Sequence, residues 1–248
     1  MALLSLRDIS LTYHSSVGET EALHNVSFSV NEGEFFGLVG PSGSGKTTVL
    51  SLVAGLISPT RGTITFDGAN KRTGYMLQKD HLFEWRTIEQ NVLLGLEIGG
   101  KLNAKTREYA RSLLDKYGLG EFKNRYPSEL SGGMRQRVAL IRTLAPEPDI
   151  LLLDEPFSAL DFVTRLSVVS DVFSIIKKEK KTALLVTHDI AEAISMCDRI
   201  AMLTARPARV KKIFQTGFST ESPIKRRESE RFSQQFERIW KEMENGDK

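Results

Sequence analysis

Apolar positions set the frame of the chain. Residues 3–13 and 26–39 alternate or run apolar, with β-branched and aromatic side chains, and so predict strands. Asn31-Glu32-Gly33-Glu34 has the composition of a hairpin turn. Phe35 to Val39 is a short, wholly apolar run, as in a strand buried on both faces. A glycine-rich loop follows, then a helix from about Lys46 to Ala54. Thr63–Phe66 and Tyr75–Leu77 predict further short strands. From about Thr87 the period becomes helical: Thr87-Ile88-Glu89-Gln90 forms a capping box opening one helix, and Ala104–Tyr117 and Gly132–Leu144 make two more. Residues 87–145 are therefore a candidate helical insertion. Ile150–Leu153, Thr182–Val186 and Arg199–Leu203 return to strand character with helices between them, and Pro146 and Pro148 mark the return. Strands alternating with helices predict an α/β fold with a mostly parallel sheet.

The C-terminal stretch differs. Residues 217–227 are polar and basic, which predicts a loop or linker. Beyond them Phe232, Phe236, Ile239, Trp240 and Met243 share one face of a helix. That face can pack on its own domain or dock a second subunit or a regulator. The expected division is a domain over 1–215 and a C-terminal linker and amphipathic helix over 216–248.

A chain of 248 residues can bury one large α/β core. Its 34 basic and 31 acidic residues nearly balance, so charge calls for neither nucleic acid nor an anionic membrane as partner. The one cysteine, Cys197, excludes an internal disulfide and a thiolate metal cluster, and its setting predicts a small buried hydrophobe near a helix end. Arg7 and Asp8 come too early for a signal peptide. No window reaches the ~18 apolar residues of a spanning helix, so a membrane role requires another protein.

Gly40-Pro41-Ser42-Gly43-Ser44-Gly45-Lys46-Thr47 fits the phosphate-binding loop of nucleotide-binding proteins. Its glycines let backbone N–H groups turn inward, and the following helix offers the positive end of its dipole. Lys46 supplies a mobile charge for the β- and γ-phosphates, the Thr47 hydroxyl suits Mg²⁺, and Thr48 can donate to a phosphate. The loop alone specifies a nucleoside triphosphate; kinases, GTPases and motors share it.

Ile150-Leu151-Leu152-Leu153-Asp154-Glu155 places two acids at the end of a buried strand, the ligand edge of a parallel sheet. Asp154 suits the magnesium shell. Strand alternation would turn Glu155 elsewhere, toward a water at the γ-phosphate. Leu130-Ser131-Gly132-Gly133-Met134-Arg135-Gln136-Arg137 is a second anion site, with a hydroxyl, bare N–H groups and a helix start but no lysine. If the two sites lie on opposite sides of a subunit, two head-to-tail copies could each complete the other's site.

With these motifs in order, roughly residues 3–215 resemble the ATP-binding cassette (ABC) family, whose signature is LSGGQ. The resemblance implies a P-loop NTPase with a mostly parallel sheet, an N-terminal antiparallel β-subdomain and the helical insertion. It also implies ATP and Mg²⁺ as cofactors. Tyr13 matches the aromatic that stacks on adenine. Residues 40–48 (Gly40, Pro41, Ser42, Gly43, Ser44, Gly45, Lys46, Thr47, Thr48) match the nucleotide loop. Gln78 matches the glutamine that touches magnesium and attacking water, joining Thr47 and Asp154 as metal residues. Ser131, Gly132, Gly133 and Met134 match the signature that acts in trans, with Met134 in place of its glutamine. Asp161, in Ser158-Ala159-Leu160-Asp161, matches the loop that speaks across the dimer. His188 matches the switch histidine, and with Glu155 and Gln78 completes the catalytic set.

Residues 82–92 (Leu82 to Val92) resemble the LLPWxTVxxNV stretch of bacterial nitrate, sulfonate and taurine importers, with Glu84 for proline. Thr204-Ala205-Arg206-Pro207-Ala208-Arg209-Val210 resembles their TxRPGRI, with Ala208 for glycine. That family includes importers for thiamine precursors. The resemblance implies an ATPase at the cytoplasmic face of the membrane, bound to permease subunits and served indirectly by a solute-binding protein. Phe83 and Trp85 are then either packing within the insertion or part of a groove for a permease helix. An exporter ATPase, a soluble cassette acting on nucleic acid or ribosomes, and a small-molecule kinase are the competing readings.

Overall fold

A computed structural model of the chain describes residues 1–16, 18–68, 72–218 and 221–244. β1 (Ala2–Ser15), β2 (Gly18–Asn31) and β4 (Arg61–Phe66) form an antiparallel three-stranded sheet in the order β2-β1-β4. A second, six-stranded sheet contains β3 (Phe35–Val39), β5 (Thr73–Met76), β6 (Ile150–Asp154), β7 (Thr182–Val186), β8 (Arg199–Leu203) and β9 (Val210–Gln215). Its order is β5-β6-β7-β3-β8-β9, parallel except for the antiparallel edge strand β9.

The central strands are short because both faces are covered. Phe35 and Val39 of β3 join one apolar cluster while Phe36 and Leu38 join the other. Leu151 and Leu153 of β6 likewise face one cluster, and Ile150 and Leu152 the other. A slip of one residue would exchange two differently shaped cores, so the register is strongly specified. The first cluster lies under α2 (Ile88–Ile98), α3 (Ala104–Lys116), α4 (Gly132–Leu144), α5 (Phe162–Lys178) and α6 (Ile190–Met196). The second is closed by α1 (Lys46–Val53) and the antiparallel sheet, with Phe28 stacked on Phe36 at 5.0 Å across the join.

Asn31–Glu34 is a turn but not the expected hairpin. It carries the chain from one sheet to the other, since β3 pairs with β7 and β8 rather than with β2. The reason is burial: all five residues of β3 are buried, which suits a central strand. Glu34 braces the crossing by accepting from the Asn31 N–H at 2.6 Å and pairing with Arg199 at 3.2 Å. The β9 edge strand has no counterpart in the sequence reading.

The capping box opening α2 is present: Thr87 Oγ1 accepts from the Gln90 N–H at 3.3 Å, and the Thr87 N–H donates to Gln90 Oε1 at 2.9 Å. Cys197 is fully buried at the end of α6, as its setting predicted. The stretch 217–227 is not simply a solvated linker, although Ser219 and Thr220 lie outside the described residues, as do 245–248 of the C-terminal segment. Pro223–Arg227 forms α7, and Arg226 is wholly buried between the rings of Phe173 and Phe218. Its guanidinium donates to the Cys197 carbonyl at 3.2 Å, so a basic side chain serves as core. α8 (Glu230–Glu244) follows, with Ile239 fully buried, Phe232, Phe236 and Met243 packed on the first cluster, and Glu242 bound by Lys212 at 2.7 Å.

Candidate functional site

The loop between β3 and α1 is held by its own lysine. Lys46 Nζ donates to the carbonyls of Gly40 and Pro41, each at 2.9 Å. Glycine is required where space runs out: a Cβ on Gly45 would stand 2.9 Å from Leu23, and one on Gly40 would stand 2.8 Å from the Leu203 carbonyl. Among the described residues no side chain caps the first turn of α1, so its N–H groups remain available to an anion. Burial lowers the Lys46 ammonium from its ordinary range, against the charges of Glu155 and Asp154, which hold it up. An open cavity of about 720 Å³ lies over this loop, lined by residues 40–48, Glu155, His188, Arg206 and Met243.

Asp154 ends β6 and is buried. Its Oδ1 accepts from Thr47 Oγ1 at 3.1 Å and its Oδ2 from the Tyr75 hydroxyl at 3.2 Å. Burial pushes its carboxyl up, the Glu155 charge adds to this, and the two hydroxyls and Lys46 pull it back. Burial, with the nearby Asp154 charge, also pushes Tyr75 up to about 12. A buried carboxylate whose hydrogen-bond donors are neutral hydroxyls lacks a full counter-charge. That oxygen set suits Mg²⁺, which takes one or two protein groups and leaves its other positions to phosphate and water.

Glu155 leaves the strand through a left-handed backbone, φ 44°, while its N–H still bonds the Val186 carbonyl at 2.9 Å. This turn, rather than strand alternation, redirects its side chain. Glu155 Oε2 lies 3.1 Å from His188 Nδ1 and 3.5 Å from Gln78 Nε2. Glu155, His188 and Gln78 are thus brought together beside the loop. Gln78 meets Glu155 rather than the Thr47–Asp154 pair. Tyr13, 45% exposed, sets its hydroxyl 3.2 Å from Thr48 Oγ1.

Ser131 to Met134 lie elsewhere. Ser131 caps α4 by accepting from the Met134 N–H at 3.3 Å, and Ser131 and Gly132 are exposed. Gly133 faces inward, where a Cβ would stand 2.8 Å from Val168, and Met134 packs on the core. None of the four lines the loop's cavity. Asp161 caps α5 by accepting from the Thr164 N–H at 3.0 Å, which holds its carboxyl below the usual range. Beside it Phe162 and Val163 are 68% and 76% exposed.

Three neighbours of the cavity were not foreseen. Tyr75 acts through Asp154, and only the β5–β6 pairing reveals it. Arg206 donates to the Gly43 carbonyl at 3.0 Å; it belongs to the Thr204–Val210 stretch already singled out. Met243 arrives from α8, which no local pattern connects to the loop.

Residues 23–158 match the family model described as ABC transporter. An uncharacterized ABC transporter ATP-binding protein, YtlC of Bacillus subtilis, is 45% identical over 100% of this chain and 98% of its own length. The taurine import ATP-binding protein TauB of Jannaschia sp. is 40% identical, over 89% of this chain and 85% of its own. The aliphatic sulfonates import ATP-binding protein SsuB of Bacillus thuringiensis subsp. konkukian is 34% identical, over 98% and 96%. Among solved structures, the ATP-binding cassette MJ0796, dimeric in a post-hydrolysis state bound to ADP and Pi, superposes with a TM-score of 0.71. It is 31% identical and covers 86% of this chain and 98% of its own.

Proposed function

The chain belongs to the ABC transporter family of ATPases, and from that premise we propose that two copies of it share their ATP sites and drive a membrane importer. One observation carries the reading. The N-terminus of α4 offers an exposed Ser131 and Gly132, an anion site without a lysine, yet it lies outside the cavity of its own phosphate loop. A second copy, head to tail, gives that site a phosphate to bind. The exposed Phe162 and Val163 beside Asp161 give the same pairing an apolar contact.

In this reading Lys46 and the amides of the loop hold the β- and γ-phosphates, and Tyr13 stacks on adenine. Thr47 and Asp154 would hold Mg²⁺, which when bound neutralises charge on the β- and γ-phosphate oxygens, while Gln78 is turned to Glu155 rather than to that pair. Glu155, fixed between His188 and Gln78, orients water and takes its proton as the water oxygen attacks phosphorus and the bond to ADP breaks. His188 donates to the phosphoryl oxygens, where charge gathers. Ser131 and Gly132 of the partner close on the γ-phosphate; phosphate release removes that bridge and the pair reopens. Closure is limited to what the ligand gains in the closed state over the open one.

The 82–92 stretch faces the permease. Phe83 and Trp85 pack at 4.7 Å with Trp85 74% exposed, an aromatic pair suited to receive a permease helix. The names of the relatives support taurine or an aliphatic sulfonate as the solute; the resemblance of residues 82–92 and 204–210 adds nitrate and a thiamine precursor, and implies delivery by a solute-binding protein. The cassette would then work at the cytoplasmic face of the membrane.

Complementation tests the shared site. Lys46→Ala and Ser131→Arg should each be nearly inactive alone. Mixed, they should regain ATPase activity, because a mixed pair holds one intact site. Full activity of Ser131→Arg alone, or no recovery on mixing, would refute the proposal. Reconstitution with permease subunits and uptake of labelled taurine or an alkanesulfonate tests the transport assignment.

A further inference from the structure

His188 is 62% exposed, and its one polar contact among the described residues is with Glu155, so its ring is placed by the backbone beneath it. That backbone is fixed by the residues on either side. The Asp189 N–H donates to Thr187 Oγ1 at 3.0 Å, and Asp189 Oδ1 caps α6 by accepting from the Glu192 N–H at 3.1 Å. The other oxygen, Asp189 Oδ2, lies 3.8 Å from Arg165 NH1. The same guanidinium donates through NH2 to the Leu160 carbonyl at 2.8 Å. Leu160 immediately precedes Asp161. One side chain therefore touches both the residue after His188 and the loop that would meet the second copy.

The surroundings favour this link. Arg165 stands one turn into α5, and its backbone N–H bonds the Asp161 carbonyl at 2.9 Å. Its Nε is buried with no partner among the described residues, so the two contacts above carry the group. Glu192, buried beneath, is pushed up to about 8 by desolvation and the Asp189 charge. Near neutral pH it is largely protonated, which leaves Asp189 as the counter-charge to Arg165. Arg227 of α7 also faces Asp189 and Glu192.

We propose that Arg165 is a positioning residue that ties the Ala159–Asp161 loop to His188, so that engagement of the loop by a second copy sets the imidazole against Glu155. The inference rests on the roles given above to His188 and Asp161. Arginine suits the task because its planar fork serves a carbonyl and a carboxylate at once.

The test is a kinetic cycle in the full-length protein. Arg165→Ala should lower kcat about tenfold, less than the ~10² cost of misplacing a catalytic group outright, with KM for ATP unchanged. Arg165→Gln, which keeps an N–H donor for Leu160 but no charge for Asp189, should lose nearly as much, and Arg165→Lys should recover part. In a His188→Ala background Arg165→Ala should cost nothing further, since the two act through one group. In ¹⁵N spectra the His188 ring signals should move in Arg165→Ala, while those of His14, His24 and His81 stay. This decides the matter even where the background is too slow to time. A wild-type kcat in Arg165→Ala, losses that multiply in the double variant, or unmoved His188 signals would overturn the proposal. If Arg165→Ala fails while His188→Ala is inactive, only this link falls; if His188→Ala turns over normally, the catalytic reading falls with it.

Discussion

Glu192→Gln should make the protein more stable, by about 1 kcal/mol at pH 5.5 and several times more at alkaline pH. Glu192 is 3% exposed, and burial pushes its carboxyl from the ordinary 4.5 to about 8, with Asp189 adding to the rise and Arg165, Thr187 and Arg227 opposing it. The group holds its proton in the folded chain where the unfolded chain has released it. Stability from this site is therefore complete below the unfolded pKa and is lost as pH rises toward the folded one. At about 1.4 kcal/mol for each pH unit, the loss above pH 8 comes to about 3–5 kcal/mol. Glutamine has the shape of the protonated acid but does not titrate, so it removes the slope. For a domain of this length a gain of that size raises Tm by about 10 °C. Thermal unfolding of both proteins from pH 5.5 to 9 measures it. The two curves should lie closest at the acid end, separate steadily as pH rises toward 8 and run parallel above it, with the variant higher. A difference in Tm that does not change with pH, or a wild type that gains on the variant as pH rises, would show that Glu192 is ionised in the fold.

Glu155→Gln should retain ATP binding, slow hydrolysis by at least ~10² and accumulate an ATP-bound dimer, read by light scattering; normal turnover would remove Glu155 from the mechanism. Asn91→Ala should cost about 3 kcal/mol in urea unfolding, because the fully buried amide accepts from the Phe83 N–H and donates to the carbonyls of Phe83, Arg86 and Thr87. Amide exchange should quicken across residues 83–87 in the same variant. Trp85→Ala should leave unfolding stability within about 0.5 kcal/mol, as expected of an exposed side chain, while weakening co-purification with permease subunits.

What could be read from sequence followed from local chemistry. The lysine loop carries its function in consecutive residues, and the strand before it and helix after it are written in the same stretch. The aliphatic runs at Ile150–Leu153 and Thr182–Val186 reveal parallel strands because both faces must be apolar. What escaped depends on partners far along the chain. Asn31–Glu34 has hairpin composition, but the pairing of β3 is decided by β7 and β8, more than a hundred residues later. Arg226 reads as surface until Phe173 and Phe218 supply rings for its guanidinium. β9 mixes lysines with apolar residues, which suits an edge strand but also a loop. Strand alternation points Glu155 away from Asp154, whereas a single left-handed residue gives its direction; outside glycine that conformation is signalled by asparagine, aspartate or histidine, and a glutamate gives no such sign.

The path of α8 has a practical consequence. Met243 forms part of the cavity wall, and Trp240, one turn earlier, is half-exposed and stacked on Phe236 at 5.9 Å. Trp85 is the only other indole in the chain. With Trp85 changed to Phe, indole emission, excited at wavelengths too long for the five tyrosines, would come from that one helix. Nucleotide titrations could then be followed by native fluorescence, with no dye or label near the phosphates.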